Sequence, residues 1–81
     1  MKIGYLPRAL NALDEAPEEV RRAFFKQVRL LSENIQHPSL HAKKYDEAKD
    51  IWQARVNLSW RFYFNISGGA YIIRDIIPHP K

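Results

Sequence analysis

The chain has 81 residues, 46% hydrophobic and 12% aromatic, with a formal net charge of +4. That composition is globular rather than disordered, and the length suffices for one modest core but not two, so residues 1–81 read as a single domain. No apolar run approaches the roughly 20 residues of a membrane-spanning helix, and a chain without cysteine has neither disulfides nor thiolate metal ligands.

The start of the sequence carries no signal pattern, because Met1-Lys2 leads straight into Pro7 and charged residues. The expectation is a soluble cytoplasmic domain, and no residue pattern calls for a cofactor or a metal. The charge is unevenly spread. Residues 1–36 hold six basic and five acidic side chains, whereas residues 37–81 hold seven basic and four acidic ones together with all three histidines. A basic half on a small domain points to nucleic acid or an acidic protein as partner.

In chain order, Lys2 to Leu6 reads as a short edge strand. Pro7 suits the first position of a helix, and Leu6, Leu10 and Leu13 predict a helical stripe to about Asp14. Pro17 opens a second helix, with Glu18 and Glu19 in the first turn, where the helix dipole favours acids. Val20, Phe24, Val28, Leu31 and Ile35 make its apolar face, and Arg21, Arg22, Lys26, Arg29 and Glu33 lie off it. This pair of helices is scaffold.

His37-Pro38 ends the second helix, because a residue before proline is pushed out of the α region. Residues 37–50, HPSLHAKKYDEAKD, read as a polar connector anchored by Leu40 and Tyr45, with the adjacent Lys43 and Lys44 as candidate anion donors.

Residues 51–77 then alternate apolar and polar over three runs, the period of half-buried strands. Trp52, Ala54 and Val56 share one face with Trp60, Phe62, Phe64 and Ile66. With Asn57, Leu58 and Ser59 as the first turn, Trp52 pairs with Phe64, Ala54 with Phe62, and Arg55 with Arg61. A two-residue loop would set Arg55 across from Phe62 and mix the faces. Gly68-Gly69 predicts a tight second hairpin, since both central positions of a type I′ turn take positive φ. Counting back from it pairs Phe64 with Ile73 and Tyr63 with Arg74.

Arg55, Arg61, Tyr63 and Arg74 thereby share the face opposite the aromatic one. Like charges directly across a sheet cost about 0.2–1 kcal/mol, so three arginines kept there point to an anion. The last residues, Ile77-Pro78-His79-Pro80-Lys81, set a histidine between two prolines, which restrict the backbone around a proton-carrying side chain.

The succession of two helices, HPSLHAKK at residues 37–44, IWQARV at 51–56, WRFYF at 60–64 and YIIRDIIPHPK at 71–81 resembles the RelE/ParE superfamily of bacterial toxins from toxin–antitoxin pairs, in particular its mRNA interferase branch. The resemblance covers nearly the whole chain. It implies an α+β fold with two N-terminal helices packed on a small curved antiparallel sheet, and a site on the concave sheet face. It further implies a ribosome-dependent, metal-independent endoribonuclease that blocks translation, neutralised by a cognate antitoxin, with ribosome and mRNA as its other partners and no membrane.

On that resemblance, Arg61 matches the phosphate-binding arginine of the central strand, and Arg55 a basic position one strand earlier. His79 sits where some members carry a C-terminal catalytic histidine, as general acid or base. Lys43 and Lys44 bind RNA backbone or supply the proton transfer in its place, Arg74 adds a phosphate donor, and Tyr63 stacks on a base or orients the phosphate. Two other readings share the basic face: a ParE-like inhibitor of DNA gyrase, and a non-enzymatic module that docks nucleic acid or protein.

Overall fold

The computed structural model describes residues 1–79. A strand β1 (Lys2–Tyr5) is followed by helices α1 (Pro7–Glu15) and α2 (Glu18–Glu33), a short 3₁₀ turn (Pro38–Leu40), and strands β2 (Lys43–Asp46), β3 (Ile51–Arg55), β4 (Trp60–Ser67) and β5 (Ala70–Pro78). The strands form one sheet in the order β1-β5-β4-β3-β2. The helices cover one face of it, and the other face is open.

The α+β architecture is the expected one. The sheet differs in one respect: β1 joins β5 in parallel, so it is mixed rather than wholly antiparallel. A parallel neighbour needs a crossover connection. Here α1, α2 and the whole meander lie between the two strands in sequence.

Pro7 opens α1, and the two-residue link Ala16-Pro17 opens α2 with Glu18 and Glu19 in its first turn, as expected. The Arg21 guanidinium reaches back to the carbonyls of Leu13 and Ala16. It thereby supplies donors to the C-terminal end of α1, a helix end that otherwise leaves carbonyls unpaired. The buried residues of α1 are Ala9 and Leu13, whereas Leu10, expected on the stripe, is 52% exposed. On α2 the expected face is observed: Val20, Phe24, Val28 and Leu31 are buried, and Ile35 packs against them from beyond the helix end.

The core lies between α2 and the sheet. Phe24 meets Phe62 edge to face at 5.3 Å, and Phe62 neighbours Phe64 at 5.8 Å. Such ring geometries add about 0.5–1.5 kcal/mol each beyond area burial.

The β3–β4 register is as read from the sequence, with Trp52 opposite Phe64, Ala54 opposite Phe62, and Arg55 opposite Arg61. Asn57 closes the turn by accepting from the N–H groups of Ser59 and Trp60, the local bonding for which asparagine is favoured in turns. Gly68 and Gly69 both have positive φ, 54° and 78°, as the tight hairpin requires.

The β4–β5 register departs from expectation midway. Phe64 does pair with Ile73, but a bulge then sets Tyr63 opposite Asp75 rather than Arg74. Burial explains it. Strict alternation inward from Ile73 would point Asp75 into the core and Ile76 out. The extra residue buries both Ile73 and Ile76 and leaves Arg74 and Asp75 outside, avoiding a buried carboxylate.

Residues 43–46, expected as connector, form the edge strand β2 against β3. Tyr45 is 60% exposed and is no core anchor, whereas Leu40 is fully buried. Pro80, the second of the two prolines expected around His79, lies outside the described residues.

Candidate functional site

The open face is built by β2, β3, β4 and the end of β5. Arg55 and Arg61 stand directly opposite each other on β3 and β4. Arg61 is only 8% exposed. Its Nη1 donates to the carbonyls of Asn57 (2.8 Å), Trp60 (3.0 Å) and Leu58 (3.4 Å).

The β3–β4 turn thus serves as a socket that fixes one edge of the guanidinium. Among the described residues its Nε and Nη2 have no partner, and no buried side-chain nitrogen there lacks one, so both remain reachable from solvent. Burial, and after it the charge of Arg55, hold Arg61 below its usual value, with Tyr63 acting the other way. A guanidinium starts so high that it stays charged at neutral pH. Two like charges side by side, one of them largely desolvated, form a site whose repulsion an anion relieves.

Lys43 enters the same site because β2 pairs Lys43 with Gln53, and residues opposite each other share a face. His79 enters from β5. Pro78 pairs with Trp60, and the His79 N–H donates to the Ser59 carbonyl at 2.6 Å, so the chain end is tied to the turn that holds Arg61. Lys43, Gln53, Arg55, Arg61 and His79 line one depression of about 420 Å³, together with His41. Three cations and two imidazoles around one hollow can bind a phosphate and move protons at it.

The remaining expected residues lie elsewhere. Lys44 falls on the opposite face, across from Trp52, with its ammonium 5.1 Å from the Trp52 ring and paired with Asp50. The hydrogen bond to Asp50 raises it above the usual lysine value. Tyr63 and Arg74 are on the open face but line a neighbouring depression with Tyr45 and Ile51. The Tyr63 hydroxyl accepts from Gln53 Nε2 at 2.9 Å, its ring meets Tyr45 edge-on at 4.9 Å, and Arg74 donates to Asn65 Oδ1 at 2.8 Å. Gln53 therefore joins the two hollows. Among the described residues no three histidine, aspartate or glutamate side chains converge as a metal site would need.

Three contributors escaped the sequence reading. Tyr45 points onto the open face. His41 lines the hollow that holds Arg55 and Arg61. Gln27 of α2 is 7% exposed, and its Nε2 donates to the carbonyls of Ser39 and Arg55, both at 3.0 Å. It ties the connector and the end of β3 to the helix layer. A polar residue on a helix gives no pattern by which such a role could be seen, though its position three residues after Phe24 puts it beside the apolar face.

No family model matches the sequence, and no curated protein matches it. Solved structures do match the fold. The YoeB/ParE toxin from Agrobacterium tumefaciens superposes with a TM-score of 0.83 at 12% identity, covering 99% of this chain and 100% of that one. The archaeal RelE–RelB complex from Pyrococcus horikoshii OT3 gives 0.77 at 17% identity over 95% of this chain and 92% of that one. The isolated E. coli RelE toxin gives 0.79 at 13% identity over 99% and 85%. Helix layer, sheet and open face together thus have the fold of the RelE/ParE-superfamily toxins.

Proposed function

We propose that the chain is the toxin of a toxin–antitoxin pair and acts as a ribosome-dependent endoribonuclease that cuts mRNA and blocks translation in the cytoplasm. The observation that carries this reading is the convergence of Arg55, Arg61, Lys43 and His79 on one hollow of the open sheet face. A docking surface or a gyrase inhibitor needs no histidine set beside paired arginines.

The chemistry is metal-independent attack of a ribose 2′-hydroxyl on the adjacent phosphorus. The O2′–P bond forms and the P–O5′ bond breaks, giving a 2′,3′-cyclic phosphate and a free 5′-hydroxyl. Arg61, held by its turn, offers Nε and Nη2 to the phosphoryl oxygens. Arg55 faces it, so the charge gathering on phosphorus lies between two guanidinium groups; electrostatic stabilisation of that kind is the largest single contribution in many enzymes. His79 takes or gives a proton, and Lys43 is the lysine within reach to bind the backbone or share that role. Lys44 is committed to Asp50 and is not used. Tyr63, with Arg74 beyond it, lies about two strand residues from Arg61, or roughly 7 Å, and receives the neighbouring nucleotide by stacking and phosphate contact.

The antitoxin reading rests on fold neighbours captured with theirs: RelE with RelB from Pyrococcus horikoshii OT3, and YoeB with YefM in a heterotetramer from Staphylococcus aureus. An acidic segment laid on the basic open face would neutralise it. The test is to incubate the purified protein with mRNA-programmed ribosomes in the presence of EDTA and analyse the RNA ends. Cyclic-phosphate and 5′-hydroxyl ends are expected. Intact mRNA with translation blocked would overturn the nuclease reading in favour of a docking module, and inhibited DNA supercoiling would favour gyrase as the target.

A further inference from the structure

Arg74 is the extra residue of the β5 bulge. Its neighbours Ile73 and Asp75 stand opposite Phe64 and Tyr63, and no residue of β4 stands opposite Arg74 itself. A bulge bends its strand and re-aims the side chain it carries. Asn65 sets the direction. It pairs with Ile72, two residues before Arg74, so the two side chains are diagonal neighbours on the open face. Arg74 Nη1 donates to Asn65 Oδ1 at 2.8 Å. The Asn65 amide is oriented in its turn, because its Nδ2 donates to the carbonyls of Asp50 at 2.7 Å and Lys49 at 3.3 Å. Two acceptors on the nitrogen side leave the oxygen for Arg74.

One edge of the Arg74 guanidinium is thus fixed through Asn65 to the turn between β2 and β3. Its other nitrogens have no partner among the described residues, and the side chain lines a hollow of about 300 Å³ with Tyr45 and Tyr63. Asp75, the carboxylate of that hollow, is occupied: it pairs with Arg8 at 3.1 Å and accepts from the Ile76 N–H at 2.9 Å. The hollow therefore presents one aimed guanidinium beside an aromatic pair, next to the hollow of Arg55 and Arg61.

We propose that Asn65 is a positioning residue that aims Arg74 at the phosphodiester adjoining the scissile one, so that the RNA is gripped at two consecutive phosphates; this rests on the endoribonuclease reading. Asn65 touches no substrate and acts through Arg74. A guanidinium held at one edge loses little freedom when it meets a phosphate, and its remaining N–H groups match the phosphate oxygens. The second grip fixes the strand along the sheet and thereby which phosphate reaches Arg61.

The test uses the whole chain on mRNA-programmed ribosomes. Asn65→Leu keeps the volume and Asn65→Ala removes it; both lack the oxygen, and melting curves verify that they fold. Each is expected to cut about 10-fold more slowly, as is Arg74→Ala, the scale of one hydrogen bond to a charged group. Adding an Asn65 substitution to Arg74→Ala is expected to cost nothing more, because the two act as one unit. Two further mRNAs carry a neutral methylphosphonate one nucleotide to the 5′ or the 3′ side of the wild-type cut. On one of them wild type is expected to slow to the rate of Arg74→Ala and of the Asn65 variants, which identifies the phosphate that Arg74 holds.

Asn65 variants that cut within about twofold of wild type, well short of one charged hydrogen bond, overturn the proposal alone. So does a double variant slower than Arg74→Ala by the full Asn65 factor, which would confine Asn65 to holding the turn. A gap between wild type and Arg74→Ala that is the same on all three mRNAs overturns it as well, since no neighbouring phosphate is then involved. Wild type that makes no cut at all overturns the nuclease reading, and this proposal with it.

Discussion

Gln27 holds the site together from the far side of the sheet, and its replacement tests that architecture quantitatively. Its two acceptors are both carbonyls, which fixes the amide orientation. Its Oε1 faces the Ser39 hydroxyl at 3.4 Å. Gln27→Leu keeps the volume but strips both carbonyls of their donor. A buried acceptor left unsatisfied costs about 1–3 kcal/mol. The Arg55 carbonyl, at the inner end of β3, bears most of that cost, while Ser39 is exposed and its carbonyl is recovered by water. A net loss of about 2 kcal/mol follows. For a domain of this size that corresponds to roughly 8–16 °C in melting temperature.

Thermal and urea denaturation of wild type and Gln27→Leu measure it directly. Cutting should fall as well, because Arg55 and the connector lose their common anchor. Gln27→Glu is expected to be the worse variant at neutral pH, since a carboxylate there faces two carbonyl dipoles. Its fold favours the protonated acid, so its stability improves as pH falls. A Gln27→Leu protein as stable as wild type, with undiminished cutting, would refute the claim that this amide organises the site.

Gly68 and Gly69 both carry positive φ with open space around a would-be Cβ, so Gly69→Ala should cost about 1 kcal/mol by backbone strain alone, read from the shift in urea midpoint. The Lys44–Asp50 pair makes a pH prediction of definite sign. The folded Lys44 value is raised above 10.5, chiefly by its hydrogen bond to Asp50, so the pair's contribution is complete below that pH and lost as pH rises through the folded value. Melting temperatures between pH 9 and 12 should therefore decline less in Asp50→Asn than in wild type. Because this pair lies on the helix side of the sheet, Lys44→Ala should leave mRNA cutting unchanged, whereas Lys43→Ala should weaken it.

Much of the fold was legible in residues 51–77 because one face is buried and the other is not, a contrast that fixes both strand period and register. The Arg55–Arg61 pairing followed from that alone, as did the positive φ at both Gly68 and Gly69. The departures arise where a local pattern competes with a tertiary one. The Arg74 bulge exists because Ile76 and Asp75 would otherwise exchange places, an outcome set by core burial that hairpin counting does not include. Strand β2 was hidden because it lies at the sheet edge with a lysine on each face, Lys43 on the open one and Lys44 on the other, leaving too few apolar residues to show a period. Reading 43–46 as connector is also why Lys43 and Lys44 were grouped, when strand geometry sends them to opposite faces. In α1 the leucines drew the stripe, but Ala9 takes the close contact and Leu10 turns outward. His41 and Gln27 left no local signal, since one depends on a left-handed turn and the other on two carbonyls distant in sequence.

On the endoribonuclease reading, the paired arginines of the open face stabilise the phosphate as the RNA is cut. Primer extension on an mRNA in a reconstituted translation reaction tests it most directly, comparing wild type with Arg55→Ala, whose side chain makes no hydrogen bond among the described residues. New stops inside codons with wild type, reduced about 10²–10³-fold by Arg55→Ala as expected for loss of one charge-stabilising donor, are the predicted result. Translation arrest with no new stops, or cuts that persist undiminished in Arg55→Ala, would contradict it.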